Sequence, residues 1–179
     1  MSTSSIAFAL VTLGIPAITA ATLGTTTGRE LSQVSGVFSM KVGQQHALPV
    51  ASPADPVLVL TQSSGSNRST GNSAYMDGAE VTSREIADLT QGNGPQQGYI
   101  TEIRGQDTTV TSYQGKVVTT LGPSQKPVTH FEGSWSKIKG TGRYLDVTGA
   151  GTYKGSMISA TEYTVEWSGE IATPRTASR

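Results

Sequence analysis

The 179-residue chain has the size of one domain with a leader or arm, and 13 Lys plus Arg against 13 Asp plus Glu leave it without net charge. Nothing in that balance attracts a polyanion, so no nucleic-acid partner is expected. The absence of cysteine excludes disulfides, thiol catalysis and cysteine-ligated zinc.

The most apolar stretch is SIAFALVTLGIPAITAATLG, residues 5–24. Thr12, Gly14, Pro16 and Thr19 interrupt it, and it is too broken for a membrane span of ~20 apolar residues, so no stable membrane insertion is expected. With ITA at 18–20 giving small residues near a cleavage point, it resembles the apolar region of a signal peptide, which would make the protein secreted or periplasmic. Residues 1–5 hold no Lys or Arg, a departure from that pattern. The other reading is an N-terminal arm packed on the body of a cytoplasmic protein. Either way, residues 1–33 form a leader or arm, with a linker at 24–33.

From residue 34 the chain alternates. VFSMKVG places Phe38, Met40 and Val42 on one face and Ser39 and Lys41 on the other, the period of a half-buried strand. Pro49, Pro53 and Pro56 predict an unpaired loop before the strand PVLVLTQS. SGSNRSTGN (64–72) reads as a polar loop, and its Asn67-Arg68-Ser69 glycosylation pattern as chance. SAYMDG reads as a short strand and turn. AEVTSREIADL (79–89) reads as a strand with a bulge, which puts Val81, Ser83, Glu85, Ala87 and Leu89 on one side; as a helix it would turn Glu85 to solvent. Five further segments, 97–105, 107–122, 126–140, 143–157 and 159–171, are rich in Thr, Val, Tyr, Ile or Trp and bounded by turn residues. About eight short strands predict an all-β, closed antiparallel barrel over residues 34–172, with a flexible tail at 173–179.

The glycines of KGTGRYLDVTGAGTYKGSM (139–157) fit the turns, bulges and bends of such a barrel. A phosphate-binding loop fits poorly, because the Lys-Ser/Thr ending is missing and no amphipathic helix follows. In EYTVEWSGEI, Glu162, Glu166 and Glu170 share one face, and three carboxylates in an apolar interior are too costly. Tyr163, Val165 and Trp167 therefore point inward. The same alternation sends Trp135, Tyr99, Ile103, Tyr113 and Val117 inward, and of these Tyr99, Ile103, Trp135, Tyr163 and Trp167 are the candidate substrate-binding residues. Glu85 is the one carboxylate on an apolar face; with Tyr113 it is the candidate for proton transfer. His130 and Glu132 read chiefly as a surface pair. His46 has no partner that the sequence identifies. No metal site and no cofactor motif emerge.

FEGSWSKIKGTGRYLDVTGAGTYKG resembles the Gly- and aromatic-rich signature of the allene oxide cyclase barrel through Gly133, Trp135, Gly140, Thr141, Gly142, Tyr144, Gly149, Gly151 and Tyr153. Plant allene oxide cyclases, dirigent proteins and spirotetronate-type cyclases share that architecture. STGNSAYMDGAEVT and DLTQGNGPQQGY look more like small bacterial secreted proteins with this ending. The resemblance is clear over the last third of the chain and implies a fold rather than a chemistry. The plant enzymes' catalytic residues do not carry over, because their surrounding motifs do not appear here. The fold so implied points to a cofactor-independent cyclase or isomerase that folds a hydrophobic small molecule into a reactive conformer. The alternative is a secreted, non-enzymatic barrel that binds an apolar ligand or partner. A homo-oligomer is compatible with either.

Overall fold

A computed structural model describes residues 28–52 and 55–174. The apolar segment 5–24 and the tail from residue 175 lie outside the described residues. Eight strands follow in order: β1 (Arg29–Pro49), β2 (Val57–Ser69), β3 (Glu80–Leu89), β4 (Gly94–Arg104), β5 (Asp107–Leu121), β6 (Pro127–Thr141), β7 (Thr148–Met157) and β8 (Glu162–Pro174). Each pairs antiparallel with its neighbour in sequence, and β8 returns to β1, so the sheet closes into a barrel. Closure leaves no edge strand. Among the described residues no helix is long and apolar enough to cross a membrane.

The register fixes which side chains enter the lumen. Val34, Phe38 and Met40 of β1 are buried, as are Val81 and Ala87 of β3, Tyr113 and Val117 of β5, Trp135 of β6, Tyr153 of β7, and Val165, Trp167 and Ile171 of β8. Glu162, Glu166 and Glu170 face solvent, as the alternation requires. The segment 80–89 is a strand throughout, and it carries Val81, Ser83, Glu85, Ala87 and Leu89 inward.

Several boundaries differ from expectation. β1 begins at Arg29 rather than at residue 34, so the expected linker is partly strand. It also runs on to Pro49, which pairs with Val57. Proline lacks only its own N–H, and at the terminus of a strand that loss breaks no further pairing. A bulge at Gly43 shifts the register between Val42 and Gln44 and brings Gln45 to the lumen. The expected polar loop from residue 64 is instead the second half of β2, paired on both sides. Its small, polar inward residues hide the strand from a hydrophobicity reading, yet they are what the packing demands. A Cβ on Gly65 would fall 2.8 Å from Met40 Sδ.

The two ends of the barrel are unlike. At one, the connection between β2 and β3 and a short 3₁₀ turn, Gly142–Tyr144, fold inward as a plug. Tyr75, Met76, Ala79, Tyr144 and Val147 are buried there, with Tyr75 edge-on to Tyr144 at 5.0 Å between ring centroids. Asn67 anchors the plug: its Nδ2 donates to the Met76 carbonyl at 3.0 Å. That side chain is buried, so the Asn67-Arg68-Ser69 pattern is not a surface acceptor in the folded chain. The other end carries the connections from β1 to β2, β3 to β4, β5 to β6 and β7 to β8, and the lumen extends toward it.

Candidate functional site

The lumen holds a cavity of about 340 Å³. Val59, Leu89, Thr119, Thr129 and Ala160 line its outer part; Tyr75, Thr111, Trp135 and Lys137 line its inner part. The volume is at the lower end of what small-molecule sites occupy. Aromatic side chains shape the walls in edge-to-face pairs: Phe131 with Tyr163 at 5.6 Å, Tyr113 with Tyr153 at 5.7 Å, and Trp135 with Trp167 at 6.4 Å.

Glycine makes room for these rings. Every strand except β3 carries an inward glycine. A Cβ on Gly151 or Gly169 would lie within 2.6 Å of the Trp135 indole, and one on Gly155 would lie 2.1 Å from the Phe131 ring. The regular glycines of β7 are therefore mostly seats for aromatic rings rather than turns. Gly142 is a genuine turn glycine, at φ 61°.

Two polar clusters interrupt the apolar wall. The first centres on Glu85 of β3. The Tyr113 hydroxyl donates to Glu85 Oε2 at 2.9 Å and lies 3.1 Å from Ser83 Oγ. Burial holds the Glu85 carboxyl above its ordinary range, opposed by the Tyr113 hydrogen bond. Burial, reinforced by the negative charge of Glu85, pushes the Tyr113 phenol up. Two more phenols feel the same carboxylate. Burial pushes Tyr153 up to about 12, against a hydrogen bond donated by Gln96 Nε2 at 2.9 Å. Burial also raises Tyr163, while the hydroxyls of Ser63 and Ser83 pull it back. A carboxyl with a raised pKa thus lies among three phenols.

The second cluster, at the inner end, was not legible in the sequence. Lys137 Nζ donates to Glu102 Oε2 at 3.0 Å and to Thr111 Oγ1 at 2.8 Å, with the two charged side chains only 4% and 1% exposed. Thr109 Oγ1 donates to the same carboxylate oxygen at 2.9 Å, and Asn67 Nδ2 reaches the other at 3.4 Å. The Tyr75 hydroxyl lies 3.3 Å from Glu102 Oε2. The ammonium rests over the Tyr75 ring at 4.7 Å and the Trp135 ring at 5.4 Å.

Of the residues expected at the site, Glu85, Tyr113, Trp135, Tyr163 and Trp167 all line the cavity. Tyr99 and Ile103 do not: they are 58% and 46% exposed on the outside of β4. Hydrophobicity picks the wrong face of that strand, because its inward residues are Gln96, Gly98, Ile100 and Glu102. The polar pair is satisfied by Tyr153 and Lys137, partners on distant strands that no local pattern reveals. One signal was present. In β6 and β8 the glycine shares the face of the inward Trp, and the same rule applied to Gly98 turns Tyr99 outward. Glu132 pairs on the surface with Lys116, at 3.1 Å, rather than with His130. Among the described residues, no group of three or more His, Asp or Glu side chains is placed to hold a metal ion.

No family model matches the sequence, and no curated protein matches it. Among solved structures, the chain is similar to two pterocarpan synthase dirigent proteins, both at 11% identity over 82% of this chain. One is covered over 92% of its length with a TM-score of 0.47, the other over 97% with a TM-score of 0.44.

Proposed function

We propose that the protein is a cofactor-independent isomerase or cyclase that moves a proton on a hydrophobic small molecule held in the barrel lumen. The observation that carries this reading is the Glu85 carboxyl: it is set in an apolar wall, raised by burial, and hydrogen-bonded by Tyr113 at 2.9 Å. A carboxyl with a raised pKa serves as acid or base near neutrality, whereas an ordinary one is too weak a base. Tyr113 orients it and stabilises its anion. The aromatic walls hold the substrate in one conformer and exclude water, a contribution of several kcal/mol out of the ~7–11 that orientation can supply.

The test is solvent-deuterium incorporation, followed by product analysis, over a panel of apolar ketones, epoxides and polyenes. The wild-type protein should accelerate exchange or ring closure for at least one compound. Glu85→Gln should lower that rate by roughly 10²–10⁴-fold, the usual share of general acid–base catalysis. Equal rates with and without protein across the panel would remove the enzymatic reading. The second reading, a non-enzymatic barrel for an apolar ligand, rests on the same closed, aromatic cavity. It predicts saturable binding of panel compounds with no turnover, unaffected by Glu85→Gln.

A further inference from the structure

The proton transfer proposed at Glu85 does not call on the inner cluster. A buried ion pair contributes little net stability, and well-packed apolar residues often serve as well or better. Its placement is unusual in another respect: Lys137, whose side chain is only 4% exposed, lines the inner part of an apolar cavity. Lys41, Lys116, Lys126, Lys139 and Lys154 are all exposed.

We propose that Lys137 is a carbonyl-capturing amine that forms a protonated imine with an apolar aldehyde bound in the lumen. The geometry suits the product. Lys137 Nζ has Glu102 Oε2 at 3.0 Å as counterion, and Thr109 and Asn67 hydrogen-bond the same carboxylate and fix its position. An iminium carries the same single charge as the ammonium it replaces, so the ion pair survives the reaction. Its remaining N–H can still donate to Glu102, while the contact with Thr111 is released. The faces of Tyr75 and Trp135 stabilise either cation. The apolar chain of the aldehyde extends into the aromatic cavity.

The step balances without a further reagent. The ammonium gives up one proton, and its nitrogen lone pair adds to the carbonyl carbon to form a carbinolamine. The carbinolamine then expels its oxygen as water. Overall, R–NH₃⁺ and O=CHR′ become R–NH⁺=CHR′ and H₂O. Burial lowers the Lys137 pKa, which favours the first proton loss. The neighbouring Glu102 and Thr111 oxygens are placed to relay that proton.

The experiment uses the full chain with trans-cinnamaldehyde as probe and sodium cyanoborohydride as trapping reductant, read by intact mass and peptide mapping. One dominant reduced adduct, mapped to Lys137, is expected, with a red-shifted absorption band before reduction. Lys137→Arg keeps the cation beside Glu102 but has no amine that condenses in this way, so the adduct should fall to the level of the exposed lysines. Lys126→Arg, at an exposed position away from the lumen, should leave the Lys137 adduct unchanged. Labelling spread over the exposed lysines with Lys137 unmodified, or no adduct at all, overturns the proposal. Because the mapping is made on wild-type protein, the result stands even if Lys137→Arg folds poorly.

Discussion

Glu85 is a residue whose environment works against its charge. Burial raises its folded pKa above the ordinary 4.5, so the folded state binds the proton more tightly than the unfolded chain does. The linked stability is fully present below about pH 4.5 and is lost as pH rises through the raised folded value. Glu85→Gln removes that titration. Thermal melts should therefore show the variant gaining on wild type as pH rises from about 4 to 8. A constant difference across that range would mean that Glu85 titrates normally. Lys137 presents the converse case. Lys137→Met leaves the Glu102 carboxylate buried without its cation, which should cost roughly 3–5 kcal/mol in urea unfolding. Adding Glu102→Leu should restore most of that loss. Recovery in the double variant is the check that the damage comes from the stranded charge and not from lost packing.

At the level of the element, β7 shows how glycine and aromatic residues cooperate across strands. Gly155 lies against Phe131 of β6, and Gly151 against Trp135, so the rings occupy the space that side chains of β7 would fill. Gly155→Val should destabilise by about 1–3 kcal/mol through overpacking, more if Phe131 is forced off its rotamer. Chemical denaturation measures this, and near-ultraviolet circular dichroism should report the displaced rings. The sequence reading recognised β7 and its glycines but assigned them to bends, because spacing along one strand does not show which neighbour leans over it. β3 was legible for the opposite reason. Its Val81, Ala87 and Leu89 alternate, and placing Glu85 among them followed from the strand reading, whereas the helix alternative would have turned it to solvent. β4 misled because its lumen face carries Gln96 and Glu102, whose partners come from β7 and β6.

At the scale of the whole molecule, closure turns eight amphipathic strands into a container with one plugged end. The plug at Tyr75, Met76 and Tyr144 places the Lys137 cluster at the bottom and Glu85 further out, so a bound molecule meets two different polar groups along one apolar path. An apolar ligand that binds only the folded barrel should raise its stability by ~2.7 kcal/mol at 100 times its Kd. Thermal shift, together with quenching of the two lumen indoles Trp135 and Trp167, should report that binding. Filling the outer lumen with Val59→Trp should abolish both signals while leaving the protein folded. Unchanged ligand-induced shifts in that variant would place binding on the exterior.

The sequence by itself determined the all-β class, the strand periodicity and the outward glutamates of β8. Each depends on alternation along a single strand and on the cost of burying an unpaired charge. The tertiary structure alone decided that Glu102 and Lys137 enter the lumen, that Tyr99 and Ile103 leave it, and that polar β2 is a strand. Those outcomes rest on partners brought together only when the sheet closes: a carboxylate is tolerable inside once an ammonium from another strand lies 3.0 Å away, and nothing local announces that it will.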